Sequence, residues 1–413
     1  MRSPMLSWVR QWGVTVAASA SRLGAVLAAA LLLWGASLWT DADRPLYAQN
    51  ETRIEVEVAE FAPAEIIVSA AQAHAVVPSE ITISEIAAVK DGFGIQYAVA
   101  GGPRHVAAQG SGRIWFTASR EDGIGLLTTL ADPGGGNVRY RLEYYGFDWN
   151  TEPYDIVFRN NVVWFTMLRG NALGRMDATT RQVTLYELPT PDSRPAGLDV
   201  APNGEIWIVA GNGRLVRFTP STETFTEIVY SNEMAGAQRG ITLRYQNERD
   251  IWFTLPDAGA VGNYNSVTER FLRIPTGDPL PTGLAIDPSG SIWVTSIGSG
   301  RVGRYTPTTV SVWIWYGTPS PSSRPASLVL FDQGGERQLW VTESATGKAG
   351  QLRLDGGTLR GRIGVPVGPP PSRPWGITRT PGGTIWVADM GRDRLIELRA
   401  PYIYLTHWTL LAR

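Results

Sequence analysis

Two acidic residues stand at matching places in the chain, each immediately after a phrase built on Trp. Glu343 follows Leu339-Trp340-Val341-Thr342 and Asp389 follows Ile385-Trp386-Val387-Ala388. Such a pair can hold a hard divalent cation, Mg2+ for instance, through oxygen ligands, or it can neutralise nearby cations, and the sequence favours neutralisation. The cations are at hand: three turns read Ser-Arg-Pro, with Arg194, Arg324 and Arg373 at their centres, and Arg104 and Arg239 occupy related turns. Converging guanidiniums suit carboxylate, sulfate or phosphate ligands, because their forked N–H groups match paired oxygens. Taken singly, each arginine has a plainer use, bonding a turn carbonyl or covering an aromatic ring with its stem.

The rest of the catalytic inventory is thin. The chain has three His and no Cys, which removes thiolate ligands and nucleophiles. His105 takes a place where Gly197, Gly283 and Gly376 stand elsewhere, and reads as a turn residue with a secondary claim to a ligand contact. No nucleophile elbow, phosphate-binding glycine loop, His-rich metal motif or basic-aromatic nucleic-acid module occurs. A formal net charge of −1 supplies no bulk field to attract nucleic acid or an anionic membrane surface.

These residues need a frame, and the Trp phrase names it. The phrase recurs seven times, around Trp115, Trp164, Trp207, Trp252, Trp293, Trp340 and Trp386, at steps of 41 to 49 residues. A near-constant period of this length signals a repeat architecture. One unit reads as four strands: Pro281 to Asp287, a Pro288-Ser289-Gly290 turn, Ile292 to Thr295, Arg301 to Tyr305, and Ser311 to Tyr316. A four-stranded meander cannot bury both faces alone. Seven packed around an axis can, which predicts an all-β fold, a seven-bladed β-propeller of four-stranded antiparallel blades. The Trp residues are then inter-blade packing rather than a ligand platform.

In a meander the start of the first strand and the end of the second share one edge. Arg104, Tyr154, Ala196, Arg239, Thr282, Ala326 and Trp375 should therefore surround the same mouth as Ala118, Met167, Ala210, Leu255, Ser296, Glu343 and Asp389. Ligands of propellers gather at such a mouth. The chain divides into 1–48, 49–80 and 81–413. Arg2, Arg10 and Arg22 precede an apolar run over residues 23–39, the polarity of a signal peptide or membrane anchor helix, which implies an extracytoplasmic protein. Residues 49–80 read as one or two strands or a spacer, and 81–413 as the propeller, closed by Ile81 to Ile86 acting as the outer strand of the seventh blade. Tyr402 to Trp408 competes for that place.

The phrases Pro-x-Gly-Leu, Ile-Trp-Val-Thr and Val-Gly-Arg-Tyr together resemble the virginiamycin B lyase (streptogramin lyase) family over roughly residues 81 to 400. The resemblance implies opening of the ester ring of type B streptogramins by elimination, aided by a magnesium ion. It implies a His base just after the leading Pro of the sixth blade, paired with a Glu just past that blade's Trp phrase. Glu343 matches that Glu and is the catalytic candidate; the His position is Ala326, and the seventh blade has Trp375 where lyases carry another His. Alanine cannot accept a proton, and losing a positioned base costs about two to four orders of magnitude in rate. The expectation is thus an exported, monomeric, streptogramin-lyase-like propeller that binds a small polar or anionic ligand, or a protein partner, at an arginine-lined mouth. The alternative is a divergent metal-assisted carbon–oxygen lyase or lactonase-like hydrolase using Glu343 and Asp389.

Overall fold

A computed structural model describes residues 51–90, 94–130, 138–147, 150–230, 242–247, 249–307 and 312–398. The expected signal or anchor helix, Arg239 and the Tyr402–Trp408 strand lie outside these residues. Among the described residues no helix is long and apolar enough to cross a membrane.

Seven antiparallel sheets form the ring, one for each Trp phrase. Blade 5 has strands Pro281–Ile286, Ile292–Ser296, Arg301–Tyr305 and Val312–Gly317, close to the four read from sequence. The first strand of each blade is innermost, and each touches the first strand of the next blade, with blade 7 (Pro374–Arg379) returning to blade 1 (Pro103–Gly110). The core is accordingly divided among the seams. Trp115 packs with Ile156 and Phe165 of blade 2, Trp293 with Leu328 and Val341 of blade 6, and Trp386 with Ile114 and Phe116 of blade 1. A flat indole covers the face that one twisted sheet leaves open toward its neighbour.

The phrase's Thr does a second job at the hub. In blades 1, 2, 5 and 6 the hydroxyls of Thr117, Thr166, Thr295 and Thr342 accept from the backbone N–H of His105, Asp155, Gly283 and Ser327 in their own blade. The same hydroxyls donate to the carbonyls of Tyr154, Ala196, Ala326 and Trp375 in the following blade, Thr166 to Ala196 at 2.6 Å and Thr342 to Trp375 at 2.7 Å. One side chain thereby satisfies two buried backbone groups and staples two blades.

Two expectations about the N-terminal side are corrected. Residues 51–76 supply four strands, Glu51–Glu55, Ala59–Phe61, Glu65–Ala70 and Gln72–Val76, which lie as outermost strands on blades 5, 4, 3 and 2 respectively. Glu80–Ala87 continues the series onto blade 1, pairing with Arg139–Gly146, so the Ile81–Ile86 segment does not close blade 7. Ile95–Ala98 closes it instead, pairing with Arg394–Leu398, and Val89–Lys90 lies outside that. The chain has to reach blade 7 before it enters the inner strand of blade 1, and only the segment next to Pro103 is in place to do so. Six blades are therefore five-stranded, and blade 6 keeps four.

Candidate functional site

The mouth is built by a bulge repeated around the ring. In blade 5 Pro281 pairs with Ser296 and Leu284 with Val294, so Thr282 and Gly283 stand together opposite the single residue Thr295. The same shift follows Pro103, Pro153, Pro195, Pro325 and Pro374. Each leading Pro faces the residue just past its blade's Trp phrase, Pro325 opposite Glu343 and Pro374 opposite Asp389, which places the two sets of mouth residues at one edge.

Between blades 6 and 7 the structure brings Arg324, Arg373 and Trp375 to one cavity of about 370 Å³, together with Ser344, Thr346 and Ser372. Arg324 holds a left-handed backbone (φ 50°) and its carbonyl accepts from Ser344 Oγ at 2.7 Å, which fixes the turn while leaving the side chain exposed. The Arg373 N–H donates to Asp389 Oδ1 at 2.6 Å. Neither guanidinium has an ion pair among the described residues, so the cavity carries two cations without protein counter-charge. Arg194, in the equivalent turn of blade 3, is exposed and does not line this cavity.

Arg104 takes a different place. Its guanidinium carbon lies 4.0 Å from the Tyr154 ring centroid and 5.2 Å from that of Trp375, with Glu152 at 3.9 Å. His105, expected in a turn, lies within the inner strand of blade 1, its Nδ1 2.7 Å from the Tyr154 carbonyl and 3.3 Å from Asp155 Oδ1. Burial pushes the imidazole pKa down, against the Asp155 carboxylate that raises it. Sequence reasoning missed Asp155, although it stands at the position of His105 one blade on.

The two mouth acids do not neutralise the arginines directly, contrary to the favoured expectation. Glu343 is fully buried and accepts from Ser320 N–H at 3.1 Å and Thr346 Oγ1 at 3.0 Å. Asp389 Oδ1 accepts from the N–H groups of Arg373 and Gly391, and burial pushes its pKa up. Only Asp389 Oδ2 is left buried without a partner. With three of four carboxylate oxygens committed to their own blades, the pair does not fit a protein-held Mg2+. Among the described residues no group of three or more His, Cys, Asp or Glu could hold a metal ion.

A family model described as the virginiamycin B lyase family matches residues 92–398. A virginiamycin B lyase from Nocardia farcinica (strain IFM 10152) is 26% identical over 214 residues, spanning 50% of this chain and 67% of the relative. Among solved structures, a catalytically inactive His-to-Ala virginiamycin B lyase from Staphylococcus aureus with quinupristin superposes with TM-score 0.61 at 24% identity, over 78% of this chain and all of that one. Hydrazine synthase from Kuenenia stuttgartiensis shares the fold at TM-score 0.58 and 11% identity, over 76% of this chain and 97% of its own. At such identities the structural likenesses speak for the fold alone.

Proposed function

Because the chain belongs to the virginiamycin B lyase family, we propose that it keeps the family's ring but works as an extracytoplasmic binding module, its arginine-lined mouth taking an anionic ligand. The observation that carries this reading is the cavity between blades 6 and 7, where Arg324 and Arg373 face solvent without counter-charge beside the hydroxyls of Ser344 and Thr346. Two unpaired guanidiniums at one opening repel each other, and an anion bridging them relieves that cost while making charge-assisted hydrogen bonds. Ala326, at the place where the resemblance puts the proton-accepting His, supports binding without the lyase reaction. Export follows from the one-sided arginines before the apolar run of residues 23–39.

The test has two arms. Calorimetric titration with inorganic phosphate, sulfate and small dicarboxylates should detect a binder, and Arg324→Gln or Arg373→Gln should each weaken it by about tenfold or more. Incubation of purified protein with quinupristin and Mg2+ should leave the ester ring closed. Ring opening that disappears in Glu343→Gln would restore the lyase activity and overturn this reading.

A further inference from the structure

The second residue of each hub bulge is glycine in blades 3, 5 and 7, and the geometry says why. A Cβ on Gly283 would stand 2.8 Å from the Ala326 carbonyl oxygen and 2.8 Å from Ser327 Cα, and one on Gly376 would run into the Arg104 carbonyl. Blades 1 and 2 carry His105 and Asp155 at this position, so the hub opens there enough to admit side chains that other seams refuse. The fold accounts for Asp155: its Oδ1 accepts from Ile156 N–H at 2.9 Å and its Oδ2 from Leu198 N–H of blade 3 at 3.1 Å, joining two inner strands. For the imidazole it accounts for one side only, the Nδ1 bond to the Tyr154 carbonyl of blade 2. The His105 backbone already makes the Thr117 bond that Gly283 makes to Thr295 with no side chain at all.

The ring's orientation is fixed from one side. A carbonyl oxygen can only accept, so the 2.7 Å contact with Tyr154 places the proton on Nδ1, and Asp155 reinforces that tautomer. Nε2 is then the lone-pair nitrogen, with no partner among the described residues. Among the described residues the charged groups around the imidazole are Asp155, Arg104 and Arg244; burial, with the two arginine charges, outweighs the Asp155 carboxylate and the Tyr154 bond and favours the neutral ring. Next to it Arg104 is gripped on its faces by Tyr154 and Trp375, while its buried Nε lacks a hydrogen-bond partner. Arg104, whose near carboxylate Glu152 stands 3.9 Å away, is thus a held cation next in sequence to a held acceptor, a pairing suited to a ligand that carries both an anion and a hydroxyl.

We propose that Arg104 and His105 form a second binding site, at the hub between blades 7, 1 and 2, which takes a 2-hydroxy carboxylate: the carboxylate on Arg104, the hydroxyl donating to His105 Nε2. The site shares Trp375 with the blade 6–7 cavity but uses neither Arg324 nor Arg373. The probes are L-lactate and propionate, which differ by that one hydroxyl. With imidazole-labelled protein, lactate should shift the His105 resonances saturably and bind several-fold more tightly than propionate. Arg104→Gln should weaken both ligands by about tenfold. His105→Phe, followed by calorimetry, should erase the preference for lactate. Arg324→Gln should leave the lactate-dependent shift of the His105 resonances unchanged, even where calorimetry records anions bound in the other cavity. Equal affinity for the two probes read at His105, no His105 shift at the highest soluble lactate concentration, or a His105 shift lost in Arg324→Gln overturns the proposal. If Arg104→Gln fails to fold, the comparison of the two probes on the unaltered protein still decides.

Discussion

Asp389 and Asp287 are both carboxylates withdrawn from water, and the fold treats them in opposite ways. Burial raises the pKa of Asp389, and the opposing pull of the Arg373 N–H, the Ser372 hydroxyl, the Gly391 N–H and the Arg392 charge does not recover the loss. A folded state that binds the proton more tightly than the unfolded chain is weakened as pH rises from the ordinary carboxylate value, 3.8, through the raised one. Asp389→Asn should therefore melt a few degrees higher than the unaltered protein at neutral pH, and acidification should close the gap; thermal denaturation at several pH values checks both. Asp287 is buried too, which pushes its pKa up, but donors outweigh that: Ser289 Oγ, Trp293 Nε1 at 3.0 Å, Ser291 N–H at 3.0 Å and the Arg337 charge hold it below the usual range. Its stabilisation is present above the unfolded pKa and is lost as pH falls through the depressed one. In Asp287→Asn the melting temperature should drop near neutral pH and converge with the parent in acid, the reverse of the Asp389 result.

At the scale of the strand, the hub staples carry the most leverage for one atom. Replacing Thr166 by Val keeps the shape but strands the Asp155 N–H and removes the bond to the Ala196 carbonyl, both buried. The expected cost is about 1–3 kcal/mol, measurable by urea unfolding, and a loss below a few tenths would deny the staple any role. These staples also mark what the sequence shows and what it hides. Trp293 and its six counterparts are legible because a large apolar residue at one place per repeat has few uses besides packing the seam. Thr295 beside it reads as a mere β-former, since nothing local reveals that its hydroxyl bridges two blades. The shared edge of Glu343 and Arg373 follows from strand direction, and so was legible. Their partners were not, because Ser320 and Thr346 reach Glu343 from turns whose course the pattern does not specify. Strands such as Ala59–Phe61 and Gln72–Val76 were unreadable for a plainer reason: they are short, largely exposed and gain their structure only from the outer strand they lie on.

Across the whole ring, those outer strands run against the order of the blades, from blade 5 through 4, 3, 2 and 1 to 7, so one segment ties together six sheets that otherwise meet only at their seams. Along it, Glu85 pairs with Arg139 and Arg141 of blade 1, and Glu60 with Arg270 of blade 4. The strap also covers edges that would template pairing with other chains, such as Thr224–Val229, which Glu65–Ala70 caps along its full length. Blade 6, which it does not reach, protects its own edge Thr358–Pro366 with a bulge, the exposed ion pair of Arg360 with Asp355, and a terminal Pro. That contrast makes the strap's function testable apart from closure. Deleting residues 51–78 removes the fifth strands of blades 2 to 5 and spares both Glu80–Ala87 and the closing strand Ile95–Ala98. Each blade keeps at least four strands, so the ring should still fold, with a melting temperature lower by roughly 5–10 °C in calorimetry. The bared edges should make the variant self-associate with rising concentration in light scattering, while the unaltered protein does not. An unchanged melting temperature with no added association would mean that the seams alone hold the ring and the strap contributes nothing to it.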